Sequence, residues 1–140
     1  MYDAILVGTD GSEGAQAAVE HAIDLARLSE ATVHAVYAIE TRTAYDTAIV
    51  DPKRVEAALT EEGESALDDV RALAGDEVEV VTAIETGPPH EVLLTYAARH
   101  GIDLLVVGAH GRSSFKERLL GSTADRAVRE SPIPVLVVEG

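Results

Sequence analysis

The sequence predicts an α/β fold in which five parallel strands form one doubly wound sheet between two layers of helices, an α/β/α sandwich. Short apolar runs alternate along the chain with longer segments whose apolar residues recur at helical spacing. The first run, Ala4 to Gly8, is nearly all apolar, which is typical of a strand covered on both faces. Such alternation implies parallel strands joined by right-handed crossovers. The length of 140 residues fits one domain spanning 1–140.

The first half of the chain contains two strands and two helices. Ser12 is placed to cap the first helix, and the apolar stripe of that helix consists of Ala15, Ala18, Ala22 and Leu25. A second strand covers Thr32 to Ile39, and residues 40–50 show no clear period. Asp51 followed by Pro52 indicates the start of the next helix, which Gly75 ends. Its residues expected to face the core are Val55, Leu59, Ala66, Val70 and Leu73.

The second half continues the same alternation. Residues 77–84 form the third predicted strand, and Gly87 and two prolines open a helix that Gly101 ends. The inward residues of this helix are Val92, Leu93, Tyr96 and Ala97. The remaining predicted elements are a strand from Ile102 to Gly108, a helix from Ser122 to Glu130 and a strand from Val135 to Glu139.

Charge and composition narrow the range of partners and compartments. The chain has 25 acidic and 11 basic residues, a formal net charge of -14. Nucleic acid and anionic membranes are therefore not expected as partners, because binding to either needs lysine and arginine to neutralise phosphates. With no cysteine, no basic leader and no long apolar run, we expect a soluble, cytoplasmic protein. The acidity fits an ordinary cytosolic protein or adaptation to a salt-rich, halophilic interior.

The segment "GAHGRSSFKERLLGST", residues 108–123, concentrates glycines, hydroxyls and positive charge. In an open parallel sheet, ligands bind beyond the carboxyl ends of the strands, where this segment begins. Gly108 and Gly111 would let peptide N–H groups approach an oxyanion, and Gly121 to Thr123 would present free N–H groups and two hydroxyls at a helix start. Arg112, Lys116 and Arg118 lie between them. The pattern predicts a phosphate-binding site; the structural alternative is that the glycines turn the chain and the serine caps the helix.

The segment does not match the common phosphate-binding or catalytic motifs. No Gly-Lys-Ser/Thr follows the four-residue spacer of a Walker A loop, and "GTDGSEG" after the first strand is not G-x-G-x-x-G. The five histidines, at positions 21, 34, 90, 100 and 110, fall on separate elements, and no nucleophile elbow is present. The sequence therefore offers no catalytic residues and leaves the metal site unknown.

The spacing Gly108-x2-Gly111-x9-Gly121-Ser122 resembles the nucleotide-binding signature of the universal stress protein family, in its ATP-binding branch. "ILVGTDGS", "GPPHEVLLTYA" and "SPIPVLVV" add to the likeness, which extends over essentially the whole chain. The resemblance implies a Rossmann-like sheet of strand order 3-2-1-4-5, with the switch point between strands one and four.

The resemblance also implies which residues contact the nucleotide. The expected set is Gly8, Thr9, Asp10, Ala38, Val107, Gly108, His110, Gly111, Arg112, Ser113, Gly121, Ser122 and Thr123. Asp10 would lie near the ribose or a metal, and the backbone of Ala38 would read adenine. The residues themselves leave alternatives: Asp10 as an Asx-turn residue, His110 facing solvent, and Arg112 and Lys116 as solvated charges.

The expected function is ATP binding as a nucleotide-responsive switch in a stress response, with Mg²⁺ held largely by the phosphates. No group obviously activates water, so we expect at most a slow ATPase. The alternative is a dimeric stress or scaffold module whose site holds another anion, a cyclic nucleotide, or nothing. The apolar last strand, Val135 to Glu139, would be an exposed sheet edge, which predicts a homodimer formed through it.

Overall fold

The computed structural model describes residues 2–40, 51–110 and 120–140, and the segments between them lie outside this description. The elements are β1 (Ala4–Thr9), α1 (Glu13–Ser29), β2 (Thr32–Ile39), α2 (Pro52–Ala74), β3 (Val80–Thr86), α3 (Pro89–Arg99), β4 (Leu104–Gly108), α4 (Ser122–Glu130) and β5 (Val135–Val138). The predicted alternation of strand and helix is confirmed.

The five strands form one parallel sheet of order β3-β2-β1-β4-β5, as the resemblance implied. Strand β1 pairs with β2 along its whole length, from Ala4 opposite Thr32 to Thr9 opposite Tyr37. Its pairing with β4 is shorter and ends where Val7 lies opposite Val106. The two central strands therefore separate at their carboxyl ends, which is the switch point of the sheet.

Each face of the sheet carries its own hydrophobic cluster. Ile5 and Val7 belong to the cluster that contains Ile23 of α1 and Leu67 and Val70 of α2. Leu6 between them belongs to the cluster that contains Leu93 of α3 and Ala124 of α4. This division follows from the period of two in a strand, and it places two helices on each face.

Both predicted helix caps are confirmed. The Ser12 hydroxyl accepts a hydrogen bond from the Ala15 N–H, and the Asp51 carboxylate accepts one from the Lys53 N–H. Each satisfies a backbone donor that has no partner within its helix.

Some local predictions about the elements were wrong. Strand β4 begins at Leu104 rather than at Ile102, and β5 ends at Val138 rather than at Glu139. Leu73 is 40% exposed, because the stripe of α2 that packs against the sheet runs through Gly63, Leu67, Val70 and Ala74 and leaves Leu73 to one side. Strand β3 covers Val80–Thr86 rather than 77–84, since a turn after Gly75 delays the pairing with β2 until Val33 lies opposite Val80.

Within the described ranges, no helix combines enough length with enough apolar character to cross a membrane.

Candidate functional site at the strand ends

The carboxyl ends of β1, β2 and β4 and the start of α4 lie at the same edge of the sheet. Pairing between β1 and β4 stops at Val7 and Val106, and each strand continues for two more residues. These last residues are Gly8 and Thr9 on β1 and Val107 and Gly108 on β4. They flank an opening between the two strand ends, which we call the strand-end opening. In an open parallel sheet this is where a ligand enters.

The turn after β1 is held by a series of short-range hydrogen bonds. Thr9, only 8% exposed, accepts from the Gly11 N–H at 3.2 Å through its hydroxyl. The Asp10 carboxylate accepts from the Ser12 N–H at 2.8 Å, which is an Asx turn. The structural alternative for Asp10 is thus realised, and contact between its carboxylate and a ligand stays a prediction.

The backbone of Ala38 reaches the end of the β1 ladder. The Thr32 N–H donates to Asp3 on the β1 side, whereas the carbonyl of Ile39 accepts from Gly87 on the β3 side. Because successive peptide groups of a strand point to opposite neighbours, the Ala38 carbonyl points toward β1. The Gly11 N–H, which would come next in that ladder, donates to Thr9 instead. The Ala38 carbonyl is therefore an acceptor at the rim of the opening.

Two of the predicted site glycines lie in close internal packing. A Cβ built on Gly8 would lie 2.9 Å from Cδ1 of Leu93 in α3. A Cβ on Gly108 would lie 2.8 Å from the carbonyl oxygen of Gly14 in α1. Neighbouring protein atoms fill the space beside each of these glycines. Their backbones lie at the site, and the lack of a side chain lets a helix pack closely against the strand.

Gly14 is a site-forming residue that the sequence analysis missed. Its own Cβ would clash with the carbonyl oxygen of His110, and the Cβ of Gly140 would lie 2.9 Å from its Cα. Gly14 therefore lets the first turn of α1 touch the chain as it leaves β4. A glycine in the first turn of a helix, where it is a poor helix former, was the available signal.

The start of α4 is fixed to the end of β4 by one hydrogen bond. The Gly121 N–H donates to the Ala109 carbonyl at 2.7 Å, and the Ala109 N–H donates to the Val138 carbonyl at 2.8 Å. The prediction that Gly121 offers a free N–H was therefore wrong. The Ser122 and Thr123 N–H groups have no acceptor in the parts of the chain that the structure describes, and no side chain caps the helix. A helix start of this kind attracts anions.

The remaining predicted residues divide into buried, half-buried and undescribed groups. The Val107 side chain is buried in the cluster under α3 and α4, which leaves only its backbone for a ligand. His110 is half-buried, and its Nδ1 is buried without a hydrogen-bond partner among the described residues. Gly111, Arg112, Ser113, Lys116 and Arg118 lie outside the described residues.

The described donors and acceptors are suited to binding rather than to bond making. Backbone N–H groups at a helix start hold an oxyanion, and a strand-end carbonyl accepts from an exocyclic amine. Across the ranges 2–40, 51–110 and 120–140, no three His, Cys, Asp or Glu side chains are grouped to hold a metal ion.

Comparisons with known proteins agree over the full chain. Residues 1–139 match the model of the universal stress protein family. Universal stress protein MJ0531 of Methanocaldococcus jannaschii is 31% identical over 141 residues, which cover 99% of this chain and 83% of that protein. Universal stress protein MJ0577 of the same organism is 31% identical over 155 residues, which cover 99% and 96%.

Solved structures show the same similarity. The structure of MJ0577 matches with a TM-score of 0.89, covering 100% of this chain and 97% of that chain. A universal stress protein solved in complex with cAMP matches with a TM-score of 0.72 and 29% identity, covering 99% of this chain and 97% of that one.

Proposed function

The chain belongs to the universal stress protein family, and from that premise we propose that it binds ATP at the strand-end opening and acts as a nucleotide-responsive switch with slow or no hydrolysis. The observation that carries the proposal is the start of α4, which no described side chain caps and which the Gly121–Ala109 hydrogen bond joins to the end of β4. Its Ser122 and Thr123 N–H groups supply an anion site where the sheet opens. The cations of residues 112–118 would add charge in a protein of net charge -14.

The Ala38 carbonyl, on the β2 side of the opening, favours adenine as the base of the nucleotide. The Ala38 carbonyl would accept a hydrogen bond from the exocyclic amine of adenine, whereas guanine presents an acceptor at the same position. We therefore expect ATP to bind more tightly than GTP. Mg²⁺ would arrive on the phosphates, and Asp10 would supply a carboxylate near the ribose or the metal.

The first test is a comparison of ligands by thermal unfolding. The protein is stripped of ligand by denaturation, refolded in high salt, and heated with Mg-ATP, Mg-ADP, cAMP, GTP or phosphate. A ligand present at 100 times its dissociation constant stabilises by about 2.7 kcal/mol. We expect ATP to raise the midpoint by several degrees and phosphate and GTP to raise it far less. Equal shifts with GTP and ATP would refute the adenine pocket.

A substitution at the first residue of α4 tests the phosphate site. Ser122→Pro removes one N–H group, and proline is well tolerated at the first position of a helix. Gly121 already has the extended conformation that a following proline requires, with φ -63° and ψ 159°. Ser122→Ala is the matched control, since it removes only the hydroxyl. We expect the proline variant to lose most of the ATP-induced shift and the alanine variant to keep most of it. ATP binding by the proline variant at wild-type strength would exclude this helix start as the phosphate site.

Asp10→Asn separates the two roles of Asp10. Asparagine keeps the side-chain oxygen that accepts from Ser12 but lacks the charge. Weaker Mg-ATP binding at unchanged stability supports ligand contact, and unchanged binding limits Asp10 to the turn.

A second candidate is a binding module for a cyclic nucleotide or another anion. The neighbouring universal stress protein solved with cAMP favours this alternative. In the same ligand panel, stabilisation by cAMP above that by ATP would establish it. Phosphate release above about 1 per second in multiple-turnover assays would instead make the protein an efficient ATPase and refute the switch.

We also propose a homodimer formed through β5 and a location in the cytoplasm. β5 is the last strand of the sheet, and its four residues are only half-buried. Pairing with a second copy would cover this edge. Light scattering at micromolar concentration is expected to give the dimer mass, and a monomer would refute the proposal.

A further inference from the structure

Three aromatic side chains join β2 to α3 on the face of the sheet that α3 and α4 cover. The His34 Nδ1 lies 2.7 Å from the Tyr96 hydroxyl, and the two rings meet edge to face. The Tyr96 ring stacks on His100, with ring centroids 3.8 Å apart. The centroids of the two imidazoles are 6.0 Å apart. We call His34, Tyr96 and His100 the imidazole cluster.

The surroundings of His34 and Tyr96 favour their uncharged forms. Burial lowers the pKa of His34, and the neighbouring His100 lowers it further, whereas Glu79 from the segment before β3 opposes both effects. Burial also raises the pKa of Tyr96, with a smaller contribution from Glu85 of β3. Once His34 carries two ring protons, its Nδ1 can only donate to the Tyr96 oxygen, so the Tyr96 hydroxyl must direct its own proton elsewhere, and the positive charge of His34 faces His100. Acid therefore acts directly on the contact between β2 and α3.

Helix α3 connects this cluster to the strand-end opening. Leu93 lies one turn before Tyr96, on the same side of α3, and both are buried in one cluster with Val107 of β4 and Ala124 of α4. The side chain of Leu93 also fills the space above Gly8, where a Cβ would lie 2.9 Å away. A shift of α3 would thus displace β1, β4 and the start of α4, since closely packed interiors transmit strain.

We propose that the imidazole cluster is a proton-sensitive clamp: it holds α3 against β2 while the His34 imidazole is neutral, and acidification loosens it and weakens nucleotide binding at the strand ends. The second half rests on the function proposed above, and the first half does not. Acidification is the signal that such a clamp would register, because His34 takes up its second ring proton only below the ordinary histidine pKa of about 6.5.

An NMR titration of the imidazoles tests the clamp without nucleotide. In the wild type, we expect His34 to titrate below its ordinary pKa of about 6.5. In His100→Gln, we expect its midpoint to rise. His21→Gln is the matched control, since His21 is an exposed histidine on α1, and it should leave His34 unchanged. A His34 midpoint at the ordinary value, or one that His100→Gln does not move, overturns the clamp.

Nucleotide affinity at pH 7.5 and pH 5.5 tests the transmission. ATP itself takes up a proton in this pH range. The wild type is therefore compared with His34→Gln, because protonation of ATP changes the affinity equally in both proteins. We expect acidification to weaken ATP binding at least about fivefold more in the wild type than in the variant, the lower range of ordinary coupling between sites. An equal change in both proteins overturns the transmission.

The failures are distinguishable. No binding of ATP at pH 7.5 refutes the proposed function and the transmission together, while the imidazole titration still decides whether the clamp exists. If ATP binds and acidification weakens its binding equally in the wild type and His34→Gln, only the transmission is refuted. Tyr96→Phe provides a second variant, since it removes the hydroxyl and keeps the ring, and the clamp predicts a changed His34 midpoint in it.

Discussion

Replacing Gly108 with alanine tests whether the end of β4 is packed against the backbone of α1. The added Cβ would lie 2.8 Å from the Gly14 oxygen, 3.0 Å from the Gly14 carbon and 3.4 Å from the Ala15 nitrogen. All three are main-chain atoms of the first turn of α1, so no side-chain rotation can relieve the contact. The turn itself must move away from β4.

The expected loss of stability combines two opposing effects. Inserting a methyl group into a closely packed region costs about 1–3 kcal/mol. Alanine also restricts the unfolded chain, which returns about 0.4–1 kcal/mol. We therefore expect Gly108→Ala to lower the free energy of unfolding by about 1–2 kcal/mol, and the thermal midpoint by about 3–8 °C.

Gly8→Ala is the matched control. Its Cβ would lie 2.9 Å from the nearest atom, almost as close as in Gly108→Ala. That atom, however, is a terminal methyl carbon of the Leu93 side chain, which can rotate away. We expect a smaller loss than for Gly108→Ala. Both variants are measured by urea unfolding in the same high salt, without nucleotide, so that ligand effects do not enter.

Two results would refute this reasoning. One is a Gly108→Ala variant within about 0.5 kcal/mol of the wild type, the ordinary range for surface substitutions. The other is a larger loss for Gly8→Ala than for Gly108→Ala. Either would mean that α1 and β4 adjust to each other more readily than their contact indicates.

Three further predictions concern stability. Ser12→Ala removes the cap that accepts from Ala15 and should lower the free energy of unfolding by about 1 kcal/mol, whereas the wild-type value in urea unfolding would exclude a role for the cap. Because the pKa of His34 is lowered on folding, the unfolded chain binds the extra proton first, so its contribution to stability is present above about pH 6.5 and is lost as the pH falls below that value. Urea midpoints between pH 8 and pH 5 should show this loss, and a His34→Gln variant with an equally steep profile would contradict it. Added KCl should raise the thermal midpoint, because the net charge of -14 repels itself less when screened, and a midpoint independent of salt would rule out that repulsion as a significant term.

The sequence predicted the elements best where a local signal was strong. The bounds of β2 were correct to the residue, and Ser12 and Asp51 cap their helices as expected. Leu73 and the start of β3 were placed wrongly, because both depend on how a neighbouring element packs. Helical spacing allows several stripes on a helix as long as α2, and contact with the sheet selects one of them.

The sequence predicted a region for the candidate site and not its individual contacts. Glycines and hydroxyls after β4 indicated the segment, since both residue types are suited to anion binding, and ligand binding there stays a prediction. Gly121, however, donates its N–H group to the carbonyl of Ala109, twelve residues earlier in the chain, and Gly14 was not selected at all. Both contacts join residues that are distant along the chain.

The sequence by itself determined the fold class and the order of the elements, and it predicted the segment where a ligand would bind. Those features follow from the period of apolar residues and from turn chemistry, which act over a few neighbouring residues. Only the tertiary structure decided which segments pack against the glycines, which N–H groups lack an acceptor among the described residues, and that His34, Tyr96 and His100 meet. Such contacts depend on the register and separation of packed elements, and residues on different elements carry no local signal of either.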